Sequence, residues 1–365
     1  MRTPLLDRRA FLAAAGGSYL AGLMPAAAAR LEKADAVFAS AFRAPDGTFG
    51  VATLTEDGGV IDTYKLPARG HDVVWRPGTQ ILVAFARRPG TFAAVIDKTG
   101  AKAPLTIHCP PGRHFYGHGC FSADGRHLYA TENAFEASIG VIGIYDATNG
   151  YRRIGEFGSG GVGPHDVHLL PDGKTLVVAN GGIETHPDYP RAKLNIPIMD
   201  PNLAIIDTLN GDIKAIAHLS RDQHKLSIRH MAMQTDGTIW FACQNEGDIA
   251  KPLALAGSLS RDGEIKMLQL PEADWSAFRG YIGSIACTEN GERIAMTSPR
   301  GDVAMVIDPV RPDTKTVHTA ADVCGVVPHG QEMFLTSGTG RAGSQTHRLA
   351  FDNHVSVAAK KALRH

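Results

Sequence analysis

The sequence predicts an all-β fold, a seven-bladed β-propeller closed by its N- and C-terminal strands. Three observations predict it: a hairpin unit that recurs along the chain, a recurrence spacing near 47 residues, and a turn-rich composition with 40 Gly and 21 Pro in 365 residues. A hydrophobic content of 44% supplies the core of one large domain. Lys and Arg total 37 against 37 Asp and Glu, a balance that argues against a nucleic-acid partner, whose basic stripe would show in the totals.

Residues 1–29 read as a twin-arginine-type export signal. Arg8-Arg9 precedes Phe11-Leu12 and a short apolar stretch softened by Gly16, Gly17 and Gly22, and Ala26–Ala29 supply the small residues a signal peptidase needs. That stretch is too short to span a bilayer permanently, and no later one is long enough, so no membrane span is expected in a mature, periplasmic form. Residues 30–365 then form one domain. Five scattered cysteines without CxxC or CxxCH exclude a dense disulfide framework and covalent haem c; one bridge is possible, and burial as small apolar side chains fits four of the five.

Residues 36–66 carry strand-like runs without a preceding anchor and are the outer strands of a closing blade, whose innermost strand would be Asn353–Val357. The repeat proper begins at Gly70-His71-Asp72 and recurs at Gly117-His118, Gly163-Pro164-His165-Asp166, Arg229-His230, Ile282-Gly283-Ser284 and, more weakly, Val323-Cys324-Gly325. After each anchor come an apolar strand, in most units an Asp-Gly or Asn-Gly turn, and a second apolar strand, which is a hairpin signature. His71, His118 and His165 stand 47 residues apart, while His165 and His230 stand 65 apart. The excess is an insertion over residues 183–201, a lid over one end of the ring. Seven units of 48 account for the 336 residues after position 29; a six- or eight-bladed ring is the alternative.

In a propeller the innermost strands line the central channel, so His71, His118, His165 and His230, sharing one repeat position, should converge at its mouth, with His354 as a fifth. Neutral imidazoles suit copper, iron, zinc or nickel better than calcium or magnesium, and an iron or copper ion is the expected cofactor. Asp72 and Asp166 are candidate orienting acceptors for the rings. Arg229, with His186, Arg191 and Lys193 in the lid, would favour an anionic small ligand. Glu132, Asn133, Asn180, Asn245 and Glu246, at the ends of second strands, should rim the same mouth or cap turns there. A structural reading competes: Gly-His pairs occur in WD-repeat propellers, but none of Trp75, Trp240 and Trp275 is followed by Asp. No P-loop, HExxH, GxSxG or helix-opening GxGxxG motif is present, so no nucleotide is expected.

The stretch Gly181-Gly182-Ile183-Glu184-Thr185-His186-Pro187-Asp188 with Lys193-Leu194-Asn195, the Arg87-Arg88-Pro89-Gly90 turn and the Phe351-Asp352-Asn353-His354 ending resemble the domain-of-unknown-function 1513 family of exported bacterial proteins. The hairpins also resemble the YVTN-type propellers of the lactonase-like and nitrous-oxide-reductase-like superfamily. The resemblance implies a periplasmic propeller often encoded near iron-acquisition proteins and supplies no activity. Nitrous oxide reductases hold a copper cluster on histidines at a propeller mouth; too few anchors are histidine here for that full cluster. The leading expectation is a periplasmic propeller binding a transition metal or metal-bearing ligand. The alternatives are a lactonase-like hydrolase or isomerase acting on a small anion, and a scaffold for another periplasmic protein.

Overall fold

The computed structural model describes residues 6–7, 23–189, 192–288 and 290–360. A short helix, α1 (Pro25–Lys33), starts on a proline, whose fixed φ suits a first helical turn, and seats Leu31 against Val37, Ile61 and Ala358. Seven sheets follow, antiparallel apart from one short pairing in the first. The first contains β1 (Leu6–Asp7), β2 (Ala36–Arg43), β3 (Phe49–Thr55) and β4 (Val60–Leu66). The second is β5 (Gly70–Trp75), β6 (Ile81–Ala86), β7 (Phe92–Asp97) and β8 (Leu105–His108), and the third β9 (Arg113–Phe121), β10 (His127–Ala134), β11 (Ile139–Asp146) and β12 (Arg152–Gly158). The fourth is β13 (Pro164–Leu169), β14 (Thr175–Asn180), β15 (Asn202–Asp207) and β16 (Ile213–His218), and the fifth β17 (Leu226–Met233), β18 (Ile239–Asn245), β19 (Ala256–Leu259) and β20 (Ile265–Met267). A second helix, α2 (Glu272–Ala277), leads to the sixth, β21 (Ser284–Cys287), β22 (Ile294–Ser298), β23 (Val303–Ile307) and β24 (Lys315–Thr319). The seventh is β25 (Val323–His329), β26 (Glu332–Ser337), β27 (Arg341–Ala342) and β28 (Gln345–Thr346).

The last strand, β29 (Ala350–Lys360), crosses back to pair antiparallel with β2 and closes the ring, so the seven-bladed fold and its terminal clasp are as expected. It also pairs in parallel with β1. The clasp removes the open edge a linear array of blades would leave. Inner and second strands are short buried apolar runs because each blade packs on both faces; β6 and β14 are almost wholly buried. Outer strands such as β16 and β24 face solvent. The hairpin turns use the predicted chemistry: Gly125 and Gly173 adopt φ of 68° and 69°, and Asp124 and Asp172 accept from backbone N–H groups two residues on.

The insertion forms the β14–β15 connection over residues 181–201, with Asn195 accepting from Glu184 N and donating to Gly182 O. All five cysteines are free, with Cys243, Cys287 and Cys324 buried. Among the described residues no helix is long and apolar enough to cross a membrane. The expected leader lies largely outside the described residues.

Candidate metal centre

The histidine-bearing stretches share a local defect. The inner-strand ladder breaks between Gly70 and Val73, between Pro164 and Asp166, and between Ile228 and His230. It also breaks where Phe115 and Gly119 flank three residues opposite Thr131, and where Phe351 and Val355 flank three residues opposite Ala41. Each break is a bulge that puts extra residues on the inner strand, and bulges re-aim side chains. Here they turn His71, His118, His165, His230 and His354 into the channel. Gly117 (φ 106°) lets β9 approach its neighbour, since a Cβ there would lie 2.6 Å from the His71 ring.

The five rings form a closed circuit. Centroids are 4.9 Å apart for His71–His118, 5.0 Å for His118–His165, 4.7 Å for His165–His230, 4.6 Å for His230–His354 and 4.6 Å for His354–His71. The last two contacts put His354 beside both His230 and His71, so the circuit closes across the sixth and seventh blades. None is more than 8% exposed, so the imidazoles lie inside the channel rather than at its rim. Two triads, His71–His118–His165 and His118–His230–His354, present ligand nitrogens within 4.8 Å of one another, and His118 belongs to both. Nitrogens around a tetrahedral ion sit roughly 3.3 Å apart, given metal–nitrogen bonds of about 2.05 Å. Small ring rotations bridge that difference, so these groups could hold a metal ion.

Several of these nitrogens have no partner. His118 Nε2, His165 Nδ1, both nitrogens of His230 and His354 Nε2 are buried without a hydrogen bond. Burial pushes His71 down to about 3 and holds His165, His230 and His354 well below the ordinary histidine value, which leaves neutral rings with free lone pairs. For His118 burial acts the same way, but Asp166 and Asp72 outweigh it and raise the ring.

Asp72 and Asp166 both serve one ring, that of His118, rather than the histidine each follows in the chain. Each uses one oxygen on the next backbone N–H, and both face His118 Nδ1, at 3.3 and 3.7 Å. Asp166 also meets Met231 N and the half-buried His168. The orienting group for His71 is Asp352, 3.0 Å from Nδ1 and itself held by Arg69 and Arg87. Burial alone would raise Asp352, but the His71 bond and the surrounding cations hold it below the usual carboxylate range. Asp352 is not among the acids expected from the sequence, because it precedes its nearest anchor, His354, by two residues and serves a histidine in another blade. Its signal was present in the Phe351–His354 ending.

The layer divides the channel. On the hairpin-turn side a cavity of about 540 Å³ reaches His118, His230 and His354, past Trp75, Met233 and His168. On the lid side lie arginines. Arg229 makes one long contact with Glu246 (3.4 Å), which Lys193 of the lid also engages. Arg88 faces the Tyr116 ring at 5.9 Å, and Tyr116 Oη meets Thr185 Oγ1 of the lid at 3.1 Å. His186 packs on Phe135 and Tyr189 instead of joining the five rings. Arg191 lies outside the described residues. Of the acids expected at the rim, Glu132 is elsewhere. It is fully buried between β-strands, paired with Arg113, Arg153 and Tyr145, because its strand turns it toward those cations.

No curated protein matches this chain. Among solved structures, Kuenenia stuttgartiensis hydrazine synthase superposes with a TM-score of 0.58 at 15% identity, covering 88% of this chain and 95% of that one. The Cps50 (Swd1) beta-propeller domain of Myceliophteria thermophila follows at TM-score 0.49 and 14% identity, covering 71% and 80%. At such identities the first likeness speaks for the fold alone. Residues 64–358, most of the propeller, match the family described as "Protein of unknown function (DUF1513)", and the chain belongs to that family.

Proposed function

We propose that this protein binds a transition-metal ion, iron or copper, on the layer of His71, His118, His165, His230 and His354. The observation that carries the reading is the set of buried imidazole nitrogens without hydrogen-bond partners, converging from five blades. A buried polar atom left unpaired costs about 1–3 kcal/mol, and an ion at the centre would satisfy several at once. An all-imidazole donor set is borderline in softness, which favours copper and iron over hard cations. Asp352 on His71, and Asp72 with Asp166 on His118, supply the carboxylate contacts that fix ring orientation in metal sites. A hydrolase reading has less support, since of the five rings only His71 and His118 carry, among the described residues, the carboxylate partner a general base uses, while His165, His230 and His354 have none. A periplasmic setting belongs to the same proposal and rests on the N-terminal sequence; cell fractionation with and without Arg8→Lys/Arg9→Lys checks it.

The test is metal content. The full chain, exposed to iron or copper and desalted, should retain about one ion per molecule, and the His118→Ala/His230→Ala variant should lose at least ten-fold. His118 is the shared member of both triads, so its removal leaves neither intact. Equal retention in both proteins, or negligible retention in both, would overturn the reading.

A further inference from the structure

The lid side of the histidine layer presents cations without enough anions to pair them. Arg88 makes no ion pair among the described residues. Arg229 has a side chain 11% exposed, a buried Nε with no partner, and a single 3.4 Å contact with a carboxylate that Lys193 also claims. Arg69 and Arg87 share the one carboxylate of Asp352 with His71. Both underused arginines are tied to the lid through a neighbour: Arg88 through Tyr116 and Thr185, and Arg229 through Glu246 and Lys193. Burial and then the Arg229 charge push Arg88 below its ordinary value.

We infer that Arg88 and Arg229, between the lid and the histidine layer, form a receptor for a small oxyanion of two or more charges, a multivalent carboxylate or a phosphate. The guanidinium fork donates two parallel N–H bonds to either oxyanion, and a partly buried setting strengthens such bonds. The unpaired Nε of Arg229 gains an acceptor, and the Arg88–Arg229 repulsion is neutralised. This site stands apart from the metal reading, because the arginines bind the anion whether or not the imidazoles hold an ion.

The experiment is calorimetric titration of the EDTA-treated full chain with two probes: tricarballylate, a tricarboxylate without a chelating hydroxyl, and inorganic phosphate. At least one should bind, the identity of that probe assigning the oxyanion class. Arg88→Gln and Arg229→Gln should each weaken it ten-fold or more, and Arg229→Lys should recover part of the loss. Circular dichroism melts establish that each variant folds. Binding of neither probe to the native chain overturns the proposal, as does binding that folded Arg88→Gln and Arg229→Gln proteins retain in full. The metal reading survives either result.

Discussion

Two buried polar clusters sit on the third blade, and they are built to opposite rules. Around Glu132 every acceptor is used: Tyr145 and Arg153 bond Oε1, and Arg113 and Arg153 bond Oε2. Even the space is committed, since a Cβ on Gly143 would lie 1.8 Å from Glu132 Oε1. Around His118, on the adjacent inner strand, four rings come within reach and several nitrogens face no partner. A satisfied buried network specifies structure, whereas an unsatisfied one waits for a ligand. Removal of a member should therefore have opposite consequences in the two places.

The largest effect is expected at the satisfied cluster. Glu132→Ala leaves Arg113 and Arg153 short of a buried counter-charge and should cost about 3–5 kcal/mol in chemical denaturation. Its metal content, if the chain stays folded, should equal that of the native protein. A loss under 1 kcal/mol would mean that the network holds nothing together, and the contrast with the histidines would fail.

Acid comes next, because it acts on the histidine layer and spares the carboxylates between pH 7 and 5. A histidine held neutral by burial contributes stability that is fully present above its unfolded value near 6.5 and is lost as pH falls toward its folded value. For His71, shifted to about 3, that loss is about 2 kcal/mol at pH 5. His165, His230 and His354 act in the same direction. His118, raised by Asp166 and Asp72, acts against them: its contribution is present below the unfolded value and lost as pH rises through the folded one. The metal-free protein should thus melt at a clearly lower temperature at pH 5 than at pH 7. A flat or rising melting temperature across that window would show that the rings are solvated in solution.

The fold was legible in the sequence because the repeat is carried by turn glycines and apolar runs that a blade cannot do without, and the clasp because residues 36–66 had strands and no anchor. The convergence of the five histidines followed from rotational symmetry. Less legible was which neighbour each acid serves. Asp166 follows His165 in the chain but faces His118, and Asp352 serves His71, because the channel brings inner strands of adjacent blades closer than chain neighbours on opposite faces of one strand. Symmetry also fails at two blades. In the sixth, Ser284 pairs Thr297 in a ladder with no break, and in the seventh a Cβ on Gly325 would lie 2.3 Å from Thr336 Oγ1. The sixth blade has no bulge to aim an imidazole inward; the seventh keeps one between Val323 and Val326, but the space at Gly325 is filled, and the weak anchors at those positions were the sign of it. The arginines escaped notice as a set because Arg88 and Arg229 belong to different units and are each tied to the lid through a different neighbour.

The smallest effect is the most discriminating. His230 has two buried nitrogens and no hydrogen bond, so its ring is a desolvation cost in the metal-free chain. His230→Leu keeps comparable volume and removes that cost. The metal-free variant should gain about 1 kcal/mol over the native protein in urea unfolding, while its metal content falls. The sign matters more than the size. A core histidine kept for packing would lose stability on that replacement, as large-to-different substitutions in a close-packed interior do, and a loss of 1 kcal/mol or more would assign His230 to structure. A gain, paired with the 3–5 kcal/mol loss expected at Glu132, would place the two clusters on opposite sides of the balance between stability and function.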